Sequence, residues 1–270
     1  MTFMKDLFGT ERPIIGLMHL KPLPGDPYYD AGGGLEGIVD AARADLAALQ
    51  DGGVDAVLFT NEFSVPYQQQ VSPVVTSSMA YVVGRLRGEI RVPYGCEAIY
   101  DGDATIDLCA ATGAQFTRCL FTDAWAGDLG IVDRDVAATM RHKYALRLDD
   151  LKLFYFITSE DDHDLAGRTV EERMHSLVFE CHPDAFVVGG TGPGVAPDAR
   201  EFRRLAERSG DVPVVAGTGC RPDTVADILS CAHGAFVGTA FKRDGIIYNP
   251  VDQARVAHFM EVARAARGDK

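Results

Sequence analysis

Apolar residues in this chain gather into short runs that are too continuous to alternate with polar ones. Eight stand out: 13–19 (PIIGLMH), 56–61 (AVLFTN), 94–99 (YGCEAI), 116–121 (FTRCLF), 151–157 (LKLFYFI), 185–189 (AFVVG), 213–217 (PVVAG) and 234–238 (GAFVG). Runs of this length without alternation read as strands buried on both faces, as parallel strands are. The segments between them read as helices, over 35–51, 76–89, 103–112, 133–147, 169–181, 198–209 and 222–231, with a last one over 250–267. Similar junctions lead from helix to strand: Gly52-Gly53-Val54-Asp55, Thr112-Gly113-Ala114-Gln115, His182-Pro183-Asp184-Ala185 and Ala232-His233-Gly234-Ala235. A glycine there supplies the left-handed residue that ends a helix. Asp133, Asp198 and Pro222 fit helix starts. Strict alternation of eight strands with helices predicts an α/β chain forming one closed (β/α)8 TIM barrel, a single domain over 1–270. The largest irregular segment is the Pro- and Gly-rich loop 20–34, after the first strand.

The length of 270 residues agrees with one such barrel. A net charge of −13 without a basic cluster gives no footprint for nucleic acid or an anionic membrane. An anionic ligand would have to be drawn in by local backbone dipoles. No apolar run approaches the roughly 20 residues that span a bilayer, and the N-terminus does not read as a targeting peptide. A cytoplasmic protein without membrane insertion is expected. The six cysteines are scattered with no CxxC pair, which fits reduced core thiols better than a disulfide framework or a zinc site.

In a barrel of this type the reactive groups lie at the C-terminal strand ends. The last three strands end in Gly189-Gly190-Thr191, Gly217-Thr218-Gly219 and Gly238-Thr239, with Lys242 close behind. Glycine lets backbone amides approach an anion, and the loops after strands seven and eight are where such barrels grip phosphate. The competing reading is that the glycines only make tight turns. Earlier strand ends carry His19, Asn61, Glu62, Glu97, Asp101, Arg118 and Asp123, and Ser159 to His163 follow the fifth strand. Glu97 and Arg118 sit inside apolar runs and each needs a partner; a purely structural ion pair is one outcome. His19, Glu62 and Glu97 are candidate ligands for a divalent metal such as Mg, Mn or Zn, or else general acids and bases. The acidic stretch 159–164 reads equally as a solvated turn. Lys152 falls at the start of its strand, so Schiff-base chemistry is disfavoured. Trp125, Tyr28, Tyr29, Tyr67 and Tyr100 are candidate pocket walls or loop anchors.

The segments IIGLMHLKPLPGDPYYD, NEFSVPY and VGTAFKRDGIIYNPVDQARVAHFM resemble the BtpA family, and within it the SgcQ-like branch. The resemblance implies a barrel of the ribulose-phosphate-binding type. It also implies site roles for His19, Arg118, Gly217, Gly219, Gly238 and Lys242. BtpA is associated with photosystem I accumulation, and the SgcQ-like branch with carbohydrate metabolism. Photosynthetic-type members tend to carry NVLRND after strand three and a KH pair after strand five, where this chain has CEAIYD and ITSEDDH. The expected activity is isomerisation, epimerisation or aldolase-type cleavage of a phosphorylated sugar or sugar acid. Glu97 and His19, with Asp101 beside them, would move protons, and Arg118 would stabilise an enediolate. The alternatives are a non-catalytic assembly or stability factor, and a nucleotide-binding protein, although no GxxxxGK[ST] segment is present. Self-association into a homo-oligomer is also expected.

Overall fold

A computed structural model describes residues 3–160, 162–190 and 199–269. In chain order the elements are α1 (Phe3–Phe8), β1 (Ile14–His19), α2 (Gly34–Gly52), β2 (Ala56–Thr60), α3 (Pro73–Leu86), β3 (Tyr94–Glu97), α4 (Gly102–Thr112) and β4 (Phe116–Cys119). They continue with β5 (Ala124–Gly127), β6 (Gly130–Asp133), α5 (Val136–Ala145), β7 (Lys152–Phe156), β8 (Asp162–Asp164), α6 (Val170–Glu180) and β9 (Ala185–Val188). The last are α7 (Ala199–Arg208), β10 (Val214–Ala216), α8 (Val225–Leu229), β11 (Ala235–Val237) and α9 (Gln253–Arg267). The strands β1-β2-β3-β4-β7-β9-β10-β11 form a closed parallel barrel. Closure is made by β1 against β11, with Ile14 opposite Ala235 and Gly16 opposite Val237.

The period of two along each strand divides the core. Ile15, Leu17, Leu58, Phe116, Phe154, Val187, Val215 and Phe236 fill the barrel interior, while Ile14, Met18, Val57, Cys96 and Val214 pack outward under the helices. Gly95 is required where β3 meets β4, because a Cβ there would lie 2.5 Å from the Phe116 carbonyl oxygen. From below, α1 inserts Met4 and Phe8 into the interior cluster, with the Phe8 ring edge-on to Phe116 at 5.2 Å.

Three features depart from the sequence reading. The helix α1 was not foreseen, nor was an antiparallel sheet in the order β6-β5-β8, built from the segments after β4 and β7. Asp133 ends β6, and the cap of α5 is Asp135, whose carboxylate accepts the Ala138 amide. Pro222 lies ahead of α8, which begins at Val225 after Thr224. Asp198 lies outside the described residues. The small sheet covers Trp125, whose indole N–H donates to the Thr122 carbonyl and whose ring packs with Leu120 and Val132. Arg173 of α6 lies 4.9 Å over that indole and donates to the Ile157 carbonyl, with the Asp123 and Asp164 carboxylates at 3.7 and 3.6 Å. The acidic segment is therefore not simply a solvated turn: Asp162 is buried in β8.

Candidate active site

Extending the inward parity by one step past each strand end brings polar groups together at the barrel mouth. They surround a cavity of about 810 Å³. His19 ends β1, Glu62 lies just beyond β2, Glu97 ends β3 and Arg118 is the last inward residue of β4. All four line the cavity.

The Arg118 Nε donates to Glu97 Oε2 at 2.9 Å, and Nη1 reaches across to the Gly217 carbonyl at 3.1 Å. The guanidinium is also held between the Phe236 and Phe156 rings, at 4.6 and 5.1 Å from their centroids. Planar charge delocalised over two ring faces suits arginine and not lysine. Burial raises the Glu97 pKa, and the Arg118 charge and hydrogen bond oppose the shift. The pair forms a floor for the cavity, so the structural ion pair weighed from the sequence does exist.

His19 and Glu62 are arranged differently. Among the described residues neither ring nitrogen of His19 has a hydrogen-bond partner, although its side chain is only 3% exposed. An unpartnered buried polar group costs about 1–3 kcal/mol, which marks it as a group made to meet something else. Glu62 Oε2 lies 3.8 Å from His19 Nε2, too far for a direct hydrogen bond. Burial, reinforced by the Lys242 and Arg118 charges, holds the His19 pKa well below the usual histidine value, so the ring is neutral. Burial also pushes Glu62 up to about 7, with Arg118 pulling against it. A neutral imidazole beside a carboxyl group that titrates near neutrality is an arrangement for moving protons.

The corner after β10 and β11 is lined by Gly217, Thr218, Gly219, Gly238 and Thr239, as the glycine pattern led one to expect. Gly219 takes a φ of 71°, which a side chain would resist. A Cβ at Gly238 would lie 2.7 Å from the His19 ring, so this glycine admits the histidine to the mouth. Two cations at this corner, Arg221 and Arg255, were missed in the sequence. Arg255 sits in the first turn of α9, a position that only the closing of the barrel brings to the mouth. Its Nε donates to the Ala240 carbonyl.

Other assignments are corrected by the geometry. Lys242 does not line the cavity; it is buried with its Nζ 2.8 Å from Asp45 Oδ2 on α2, pinning the last loop to the helical shell. Asp101 caps α4 through Oδ1 and accepts the Val71 amide through Oδ2, so both its oxygens serve the backbone. Gly189 and Gly190 do not line the cavity, the Gly189 amide donates to Thr158 Oγ1, and Thr191 lies outside the described residues. The metal set is not assembled: among the described residues no three His, Cys, Asp or Glu side chains come together to hold an ion, and Glu97 is already taken by Arg118. Five of the six cysteines are buried and all are free, as expected. Among the described residues no helix is long and apolar enough to cross a membrane.

Solved structures share this architecture. A KGPDC structure from Streptococcus mutans superposes with a TM-score of 0.58 at 12% identity, covering 95% of this chain and 99% of its own. N-(5′-phosphoribosyl)anthranilate isomerase from Pyrococcus furiosus does so with a TM-score of 0.57 at 11% identity, covering 94% and 100%. Sequence similarity runs deeper. The sgc region protein SgcQ of Escherichia coli (strain K12) is 42% identical over 261 residues, 97% of each chain. The photosystem I biogenesis protein BtpA of Synechocystis sp. is 26% identical over 257 residues, 94% of this chain and 88% of its own. With residues 10–265 matching the family as a whole, this chain belongs to the BtpA family.

Proposed function

We propose that this protein is an enzyme that moves a proton on a phosphorylated sugar or sugar acid, as an isomerase or epimerase does. The observation that carries the reading is the facing pair of Glu62 and unpartnered His19, set beside a glycine-lined corner that also holds Arg221 and Arg255. Glu62, rather than Glu97, is the proton carrier: Glu97 is engaged by Arg118, whereas burial pushes Glu62 up to about 7, near neutrality. Neutral His19 would donate a hydrogen bond to the substrate oxygen that gains electron density. The Arg118 guanidinium, fixed by two hydrogen bonds and two rings, adds preorganised positive charge beneath it. The glycine loops and the two arginines would hold the phosphate, against an overall field of −13. Fold neighbours named for phosphorylated substrates agree with this reading, at the level of fold alone.

The test is a set of sugar phosphates at millimolar concentration, scored by thermal shift and then by solvent-deuterium incorporation into whichever compounds bind. A binding compound should acquire deuterium at one carbon, and Glu62→Gln should slow that exchange by about 10²–10⁴-fold. The reading fails if no phosphate ester raises the melting temperature.

A further inference from the structure

In the barrel order, β10 stands directly across from β3, and β1 and β2 lie on the arc between them. A molecule gripped at the β10–β11 corner and acted on by His19 and Glu62 therefore points its far end at the wall beyond β3. That wall is aromatic. Tyr67 and Tyr100 line it with ring centroids 5.6 Å apart and planes inclined by 52°, so a flat ligand ring stacks on one and meets the other at an angle.

The wall is also fixed in place. The Tyr67 hydroxyl donates to the Glu62 carbonyl at 2.9 Å, which ties the ring to the proton-carrying residue. Tyr100 adopts a φ of 69°, a left-handed conformation that costs a bulky side chain energy and collects at binding sites. It is held there by Arg134, which donates to its carbonyl, and by packing against the Leu120, Trp125 and Val132 cluster under the small sheet. Two bonds lock the loops together: the Val71 amide to Asp101 Oδ2 at 2.7 Å, and the Ile99 amide to Asn61 Oδ1 at 2.7 Å. Phe63 stands edge-on to the His19 imidazole and stacks with Tyr248 at 5.3 Å. A cavity of about 810 Å³ lies in the upper part of the range of roughly 300–1,000 Å³ that takes drug-sized ligands, more than a bare sugar phosphate fills. A site for an open-chain sugar alone would present hydroxyl-binding groups at its far end, not a rigid aromatic face.

We propose that the substrate is a phosphorylated sugar carrying a planar aromatic or heteroaromatic group at the end remote from the phosphate, and that Tyr67 and Tyr100 form the stacking site for that ring. This rests on the proposed function of the same cavity.

Calorimetric titration of the full chain tests it with two pairs of probes. Ribose 5-phosphate is compared with nucleoside 5′-monophosphates, and glucose 6-phosphate with 4-nitrophenyl glucoside 6-phosphate. At least one ring-bearing probe should bind about tenfold tighter than its bare partner, the size of one stacked ring. The pair that shows the gain tells a nucleobase from an aryl group. Tyr100→Gly removes the ring while accepting the left-handed backbone, and should weaken the ring-bearing probe several-fold more than the bare one. Equal affinities within each pair overturn the stacking site and leave the sugar-phosphate reading standing; so does an equal loss for both probes in Tyr100→Gly. If no probe of either kind binds, the sugar-phosphate reading falls and the stacking site falls with it.

Discussion

Glu62 keeps its proton up to about 7 in the folded chain, against an ordinary value of 4.5. Between those pH values the unfolded state binds fewer protons than the folded one. The contribution of this residue to stability is therefore fully present below about 4.5 and is lost as pH rises through 7. Glu62→Gln removes that dependence. Its melting temperature should match that of the unsubstituted protein near pH 4.5 and exceed it by roughly 3–6 °C at pH 8, a gain in stability made at the expense of proton transfer. Arg118 gives the opposite sign. Arg118→Met strands Glu97 in the floor of the cavity and should cost about 3–5 kcal/mol in denaturant unfolding, whereas adding Glu97→Met should recover most of it. Lys242 and Arg255 separate grip from scaffold. Lys242→Met, which breaks the buried bond to Asp45, should lower the melting temperature and change phosphate affinity less than twofold. Arg255→Ala, at an exposed position, should do the reverse, with about a tenfold loss of phosphate affinity and little change in stability.

Among the elements, the barrel strands were the most legible and the small sheet the least, for a physical reason. A strand buried on both faces leaves an unbroken apolar signature, and all eight observed barrel strands fall within the runs read from the sequence. The strands β5, β6 and β8 are only three or four residues long, mostly exposed or half-buried, and mix Ala, Gly and Asp with few large apolar residues, so no periodic signal marked them. Trp125 holds this sheet to the barrel. Trp125→Ala should speed amide exchange in residues 124–133 and 162–164 while the barrel strands stay protected, as local rather than global unfolding requires. Helix packing sets a different limit. Gly52 touches α9 so closely that an added Cβ would lie 2.4 Å from the Val256 side chain. Gly52→Ala should cost about 1–3 kcal/mol by forcing α2 and α9 apart.

At the scale of the whole molecule, the site was legible where parity reaches it and obscure where only closure does. His19, Glu97, Arg118, Gly217 and Gly238 stand at or near the ends of apolar runs that could be read, and the inward parity seen in the fold aims them at the cavity. Arg221 and Arg255 were not legible in this way: Arg221 stands in the irregular loop between β10 and α8, where no period marks the direction of a side chain, and Arg255 opens a helix that only the meeting of β11 with β1 brings to the mouth. Lys242 and Asp101 misled for a related reason: each stands near a strand end, but its bonds run to the helical shell and to the loop backbone. Burial in the third dimension, and not spacing, decides whether a polar strand-end residue serves the fold or faces the cavity.

The N-terminal helix fills the underside of the barrel with Met4 and Phe8, which leaves the cavity at the mouth. Substrate and product share this one cavity, which His19 and Tyr248 both line. Traffic through such a vessel is single-file: a departing product occupies the space the next substrate needs. Two sugar phosphates that both occupy the glycine-lined corner should then displace one another in a titration, each raising the apparent Kd of the other in proportion to its own concentration, with no ternary complex at saturation.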